Sequence, residues 1–227
     1  MFFPCNVDVP MERWPIANWL LIAVTSCISI LTMIGAIPTG NWMLIGPGEY
    51  FTVGGLFGSL VSHAGIFHLA GNMLFLFVFG NAVNAKIGHL QYLFCYFLIG
   101  IIEGLLWVLL GGGPALGASG AIMGILGMFI IFYPRNDVTV FFWIWYASDT
   151  FEISAYFVIV AYFLFDLWGT MTDGGDGGVA YLAHILGSVT GFGLGTILAL
   201  SGMVRSDHNE QNIFEAIGLR KHPSRSS

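Results

Sequence analysis

Six apolar runs, at about 16–37, 66–85, 91–110, 119–134, 152–170 and 180–203, divide the chain. Several reach the ~20 residues that a helix needs to cross a ~30 Å hydrocarbon core. Lipid offers no water to bond backbone N–H and C=O groups, so such runs must be helical. Only 9% of the 227 residues are charged, against roughly 25% in soluble domains, so most of the folded surface has to face lipid. The expected fold is an all-α polytopic membrane protein of six transmembrane helices, with the membrane domain over 1–204 and a polar, mobile cytoplasmic tail over 205–227. The segment NDVTVFFWIWYASD, between the fourth and fifth runs, is β-branched and aromatic, which reads as extended or interfacial rather than as a seventh span.

Charge fixes the expected orientation. The seven cations are Arg13, Lys86, Arg135, Arg205, Arg220, Lys221 and Arg225. All fall in the N-terminal segment, the 2–3 loop, the 4–5 loop or the tail, which by the positive-inside rule puts both termini in the cytoplasm. No basic stripe is present, so nucleic acid is not a partner. Cys5, Cys27 and Cys95 are odd in number and far apart, which excludes a disulfide framework or a metal knuckle. The start, MFFPCNVDVPMERWP, lacks the pattern of a cleaved signal peptide, so the first run reads as a retained helix. A compact chain without organelle targeting reads as a multi-pass protein of a bacterial inner (plasma) membrane.

Polar groups at membrane depth are costly and default to functional candidates. Here they are His63, His68, Asn72, Glu103, Ser119, Asp166 and His184. Counted from the cytoplasmic anchors, Ser119 lies ~24 Å up, His68 ~27 Å, His184 ~31 Å and Asn72 ~21 Å, so three helices carry polar groups to a similar outer level. The fourth run covers only about 24 Å, so the preceding loop GGGPALG must dip below the outer surface. Irregular backbone is tolerated there only inside protein or a wet cavity. Gly120, Gly124 and Gly127 share a face with Ser119, and Gly187, Gly191 and Gly195 share a face with His184. Small-xxx-small faces let two helices approach closely, which would bring Ser119 and His184 within hydrogen-bond reach, the minimal arrangement for nucleophilic catalysis. His68 and Asn72 are spaced i, i+4 on one face. Both could donate to an oxyanion, as could the Ser119 N–H at its helix N-terminus. Bland readings compete: a serine in a glycine-rich helix often only packs or back-bonds, and a single membrane histidine is often a structural hydrogen bond.

The motifs HAGIFHLAGN (His63, His68, Asn72), GASG (Gly117 to Gly120) and AHILGSVTG (Ala183 to Gly191) resemble the rhomboid intramembrane serine proteases, in order and on matching spans. The similarity runs from about residue 50 to 201. It implies a six-helix rhomboid-like bundle that cleaves transmembrane protein substrates without metal or cofactor. Ser119 would be the nucleophile and His184 the base, with an oxyanion hole of His68, Asn72 and the Ser119 amide. His63, Gly117, Gly120, Met123 and Gly187 would support them. The family's dyad needs no acid, so Asp166 and Glu103 are not recruited. Two departures bear on the site. The first loop, IPTGNWMLIGPGEYFTVGGLFGSL, lacks the family's Trp-Arg pair, and Met123 stands where many members carry a tyrosine that stacks on the histidine. The competing readings are a small transporter or channel using Asp166, Glu103 and the histidines as a relay, and a catalytically inert relative that binds membrane clients.

Overall fold

A computed structural model describes residues 2–144, 146–172, 180–204 and 210–220. Five helices are long and apolar enough to cross a membrane: Ile16–Met33, Ile66–Ile87, His89–Leu109, Ala155–Thr172 and Tyr181–Ser201. With the shorter apolar helix Ser119–Phe132 they correspond to the six expected runs, and are called here the first to sixth spans in chain order. The fourth, Ser119–Phe132, has 14 residues, about 21 Å of rise. It is the centre of the bundle, with every residue from Gly120 to Phe132 buried. A helix that never meets lipid need not match its thickness, which explains how it can be short.

The fourth and sixth spans form the most intimate helix pair, and glycine is the reason. A Cβ on Gly187 would strike the carbonyl of Gly120, and one on Gly191 the carbonyl of Gly124. One turn on, a Cβ on Gly195 would lie 3.1 Å from the Cα of Met128. The contacts recur every four residues, so the helices run in parallel with backbone against backbone. Lipid tails are as apolar as leucine, so helix association in a membrane rests on such close van der Waals packing.

The second span carries a π turn at Leu76–Gly80, of the kind that leaves helix carbonyls without their usual partner. Asn18 of the first span answers it. Its Nδ2 donates to Leu76 O and to Asn81 Oδ1, both at 2.8 Å, while its Oδ1 accepts from the Tyr92 hydroxyl. Gly80 leaves the room, since a Cβ there would lie 2.8 Å from both Asn18 and Tyr92.

The segment expected to be extended is a hairpin of strands β2 (Asp137–Ile144) and β3 (Ala147–Ser154). A third strand, β1 (Phe2–Val7), pairs antiparallel with β2 to complete a three-stranded sheet in the order β1-β2-β3. The sequence patterning anticipated the extended segment but neither β1 nor the pairing into a sheet, which adds a layer to the expected all-α bundle. Val7, Val138 and Val140 are buried in the main core, which ties the sheet to the spans.

Four of the seven cations are described, and all lie in one polar layer. Lys86 is buried between Glu12 and Glu210 at 2.5 and 2.8 Å. Arg13 packs on Gly88. Arg135 donates to Gln211 Oε1 and Ala216 O, and Arg220 donates to Ala199 O. The part of the tail from 210 to 220 is therefore held against the bundle, where the sequence suggested mobility. Arg205, Lys221 and Arg225 lie outside the described residues.

The glycine contacts make a stability prediction. Gly191→Ala, whose methyl would meet Gly124 backbone, is expected to lower unfolding stability by about 1–3 kcal/mol. Gly193→Ala, two residues away with nothing within 4 Å of its Cβ position, should be neutral or slightly stabilising. Unfolding in mixed dodecylmaltoside and SDS micelles measures both; equal losses would mean that the close approach is not what holds the pair.

Candidate active site

Ser119 is the first residue of the fourth span, so its backbone N–H has no intrahelical acceptor. The loop before it is non-helical but satisfied. Ile45 and Ala115 exchange backbone bonds at 2.8 and 2.9 Å, and Gly117 N–H donates to Ser59 O at 2.9 Å. The first loop thus covers the turn by backbone pairing in place of the missing Trp-Arg pair. Trp42 anchors that loop: Gly54 and Gly58 pack directly against it, with no room for a side chain at Gly58.

Gly117 is required by its geometry. Its φ is +129°, a region that side chains rarely enter. A Cβ there would also lie 2.8 Å from Cε1 and 3.0 Å from Nε2 of His68, and 3.7 Å from Ser119 Oγ. The His68 ring and the Ser119 hydroxyl therefore flank the same point. His68 is exposed and Ser119 half-buried, so the point opens to the outside of the bundle. Gly120, next to Ser119, meets Gly187, one turn from His184, so the sixth span approaches the same end of the fourth.

Asn72, one turn along the second span from His68, is buried, yet its Nδ2 has no hydrogen-bond partner among the described residues. An unpaired buried amide donor costs roughly 1–3 kcal/mol, so Asn72 Nδ2 has a donor to offer an acceptor that reaches it. His63 is placed differently. Its ring meets His68 edge-on at 5.1 Å, its Nδ1 lies 2.9 Å from Ser29 Oγ, and its Nε2 accepts from Ala118 N–H at 3.5 Å. Ser29 donates to Val61 O at 2.9 Å, so its oxygen accepts from His63 Nδ1–H. This fixes the tautomer and ties the first span to the residue before Ser119.

Gly120 and Gly187 touch across the fourth and sixth spans, and Met123 is buried in the fourth. Ser119 and His184 share no hydrogen bond among the described residues. Catalytic bonds are often loose before substrate binds. Two polar candidates that the resemblance left out of the dyad stand next to this group. Asp166 Oδ1 lies 3.0 Å from His184 Nδ1, and the Glu103 side chain packs on Gly120. Ser29 was missed in the sequence, although Thr25, Ser29 and Thr32 form a buried polar stripe at helical spacing along the first span, which is the signal that would have found it. No group of three or more potential metal ligands occurs among the described residues.

Ser29→Ala would strip His63 Nδ1–H of its acceptor while removing little volume. It is expected to lower unfolding stability by about 1–3 kcal/mol, the cost of a buried orphan donor. Micelle unfolding reads this directly, and a change under 0.5 kcal/mol, the range of an ordinary surface substitution, would refute the Ser29–His63 link.

The Rhomboid domain family matches residues 49–201. Over 93 residues the chain is 36% identical to Rhomboid protein 1, mitochondrial, of Saccharomyces cerevisiae, covering 38% of this chain and 27% of that protein. It is 39% identical over 84 residues to Rhomboid protease GluP of Bacillus subtilis, covering 37% and 16%. It is 34% identical over 89 residues to the human Presenilin-associated rhomboid-like protein, mitochondrial, covering 37% and 24%. The matched stretches thus span about a quarter or less of these relatives' lengths. With a family match over most of the chain and a helical bundle carrying its three motifs, this multi-pass membrane protein belongs to the rhomboid family.

Proposed function

We propose that the protein is an intramembrane serine endopeptidase that hydrolyses peptide bonds in or near transmembrane helices of other membrane proteins, with Ser119 as nucleophile and His184 as base. The observation that carries the reading is the buried, unpartnered Nδ2 of Asn72, one turn from the His68 ring that lies against Gly117 beside Ser119. A packing serine has no need of an idle donor nearby, whereas an acyl-transfer site needs donors that find their acceptor only when charge develops.

The reaction follows from these positions. A peptide bond inside a helix is hydrogen-bonded and closed to attack, so the substrate unwinds locally, at lower cost where it carries Gly or Pro. Ser119 Oγ then bonds to the carbonyl carbon as its proton passes to Nε2 of His184, the ring nitrogen left free by Asp166. The carbonyl π pair moves onto oxygen, and that oxyanion accepts from Asn72 Nδ2, His68 and the Ser119 N–H. The C–N bond breaks, the amine leaves with the Nε2 proton, and water entering by the exposed His68 side hydrolyses the acyl-enzyme.

Ser119→Ala should abolish cleavage of a single-span substrate in proteoliposomes and labelling by a fluorophosphonate. His68→Ala and Asn72→Ala should each lower kcat by about 10²–10³. Full cleavage by Ser119→Ala would end the protease reading, and a wild type that neither labels nor cleaves would favour an inert, client-binding relative.

The clustering of Arg13, Lys86, Arg135 and Arg220 in one layer supports placing that face, and both termini, on the cytoplasmic side. Relatives divide between mitochondrial and bacterial proteins, and the reading for this chain is a bacterial inner membrane. Cys5 on β1 is exposed. In a Cys27→Ser, Cys95→Ser background an impermeant maleimide should therefore label inverted vesicles and spare intact cells. Labelling of intact cells would reverse the orientation.

A further inference from the structure

The unassigned polar group nearest the site is Asp166. Its carboxylate is buried, with 7% of the side chain exposed, and Oδ1 lies 3.0 Å from His184 Nδ1. Among the described residues that carboxylate bonds to His184 and to nothing else.

The contact is set by helix packing rather than by a long side chain reaching out. The fifth and sixth spans run antiparallel. Gly169, one turn after Asp166, receives the ring of Tyr181, one turn before His184, and a Cβ on Gly169 would lie 2.7 Å from that ring. Both contacts belong to one register, so the glycine that lets Tyr181 in also sets Asp166 against His184. Phe165 adds an edge-on ring contact to Tyr181 at 6.0 Å. A carboxylate sited only to join two helices could have met any donor. This one meets the face of the imidazole that Ser119 does not need.

We infer that Asp166 is a positioning residue for His184, holding the Nδ1–H tautomer so that Nε2 is the nitrogen offered to Ser119, and that the site is built by Ser119, His184 and Asp166 from three helices. The inference rests on the protease reading above. During attack the Ser119 proton moves to Nε2, and the imidazolium charge forms beside the carboxylate. Asp166 keeps accepting from Nδ1–H and takes no proton, and the Nε2 proton leaves with the amine. The absent family tyrosine fits this arrangement: Met123 orients a ring weakly, and a charge-assisted hydrogen bond orients it by direction.

The test compares wild type, Asp166→Asn and Asp166→Glu on a single-span substrate in proteoliposomes, with fluorophosphonate labelling alongside. Asp166→Asn is expected to lower kcat by about 10²–10⁴ with KM unchanged, and Asp166→Glu to recover part of the loss. A wild type that cleaves, together with an Asp166→Asn variant of equal kcat, overturns the inference and leaves the protease reading intact. A wild type that neither cleaves nor labels removes both. Independent of any variant's folding, ¹⁵N NMR of histidine-labelled wild type should find His184 protonated on Nδ1 and bare on Nε2. The opposite tautomer overturns the inference.

Discussion

Everything in the site depends on two backbones touching. Gly120 and Gly124 of the fourth span meet Gly187 and Gly191 of the sixth with no side chain between them. In water such a contact would bury little apolar area. In lipid, where apolar side chains gain nothing by leaving one hydrocarbon for another, close packing is what favours association. Both helices start near the same level, so the contact carries Ser119 and His184 to one end of the pair. Widening the pair by a methyl per turn would separate nucleophile and base as well as loosen the fold.

The polar groups inside the bundle divide by whether their bonds are complete. Asn18 is fully engaged with Leu76, Asn81, Asn84 and Tyr92, and it holds the π turn of the second span. His63 is engaged on both nitrogens. These are settled networks, of the kind that rigidify a membrane core because an unmet polar group there is costly. Among the described residues Asn72 Nδ2 is idle, as are the buried hydroxyls of Thr25, Ser62 and Thr196, but of these Asn72 alone lies one turn from His68 on the same helix. The completed bonds of Asn18 and His63 hold the scaffold, and the idle amide of Asn72 stands beside His68.

Much of this was legible in the chain. Six apolar runs gave the six helices, because span length and hydropathy are local properties and lipid permits little else. The glycine faces of the fourth and sixth spans were readable because i, i+4 spacing maps directly onto a helix surface. The extended character of 136–149 was visible in its β-branched and aromatic residues, while the end of β3, Glu152 to Ser154, had read as the start of the fifth run. The partner strand β1 was not visible, since strand pairing between residues about 135 positions apart has no local signature.

The sequence by itself determined which segments are apolar helices and which faces could touch, and it led us to expect Ser119, His184, His68 and Asn72 at a similar outer level. Only the tertiary structure decided that Asp166 faces His184 and that Ser29 faces His63. Each of these pairs joins different helices, and the rotation of one helix about its axis relative to another is set by packing of the whole bundle. An acid in the fifth span could as well have faced lipid-side water or another helix. The register fixed by Gly169 and Tyr181 turned it toward the imidazole.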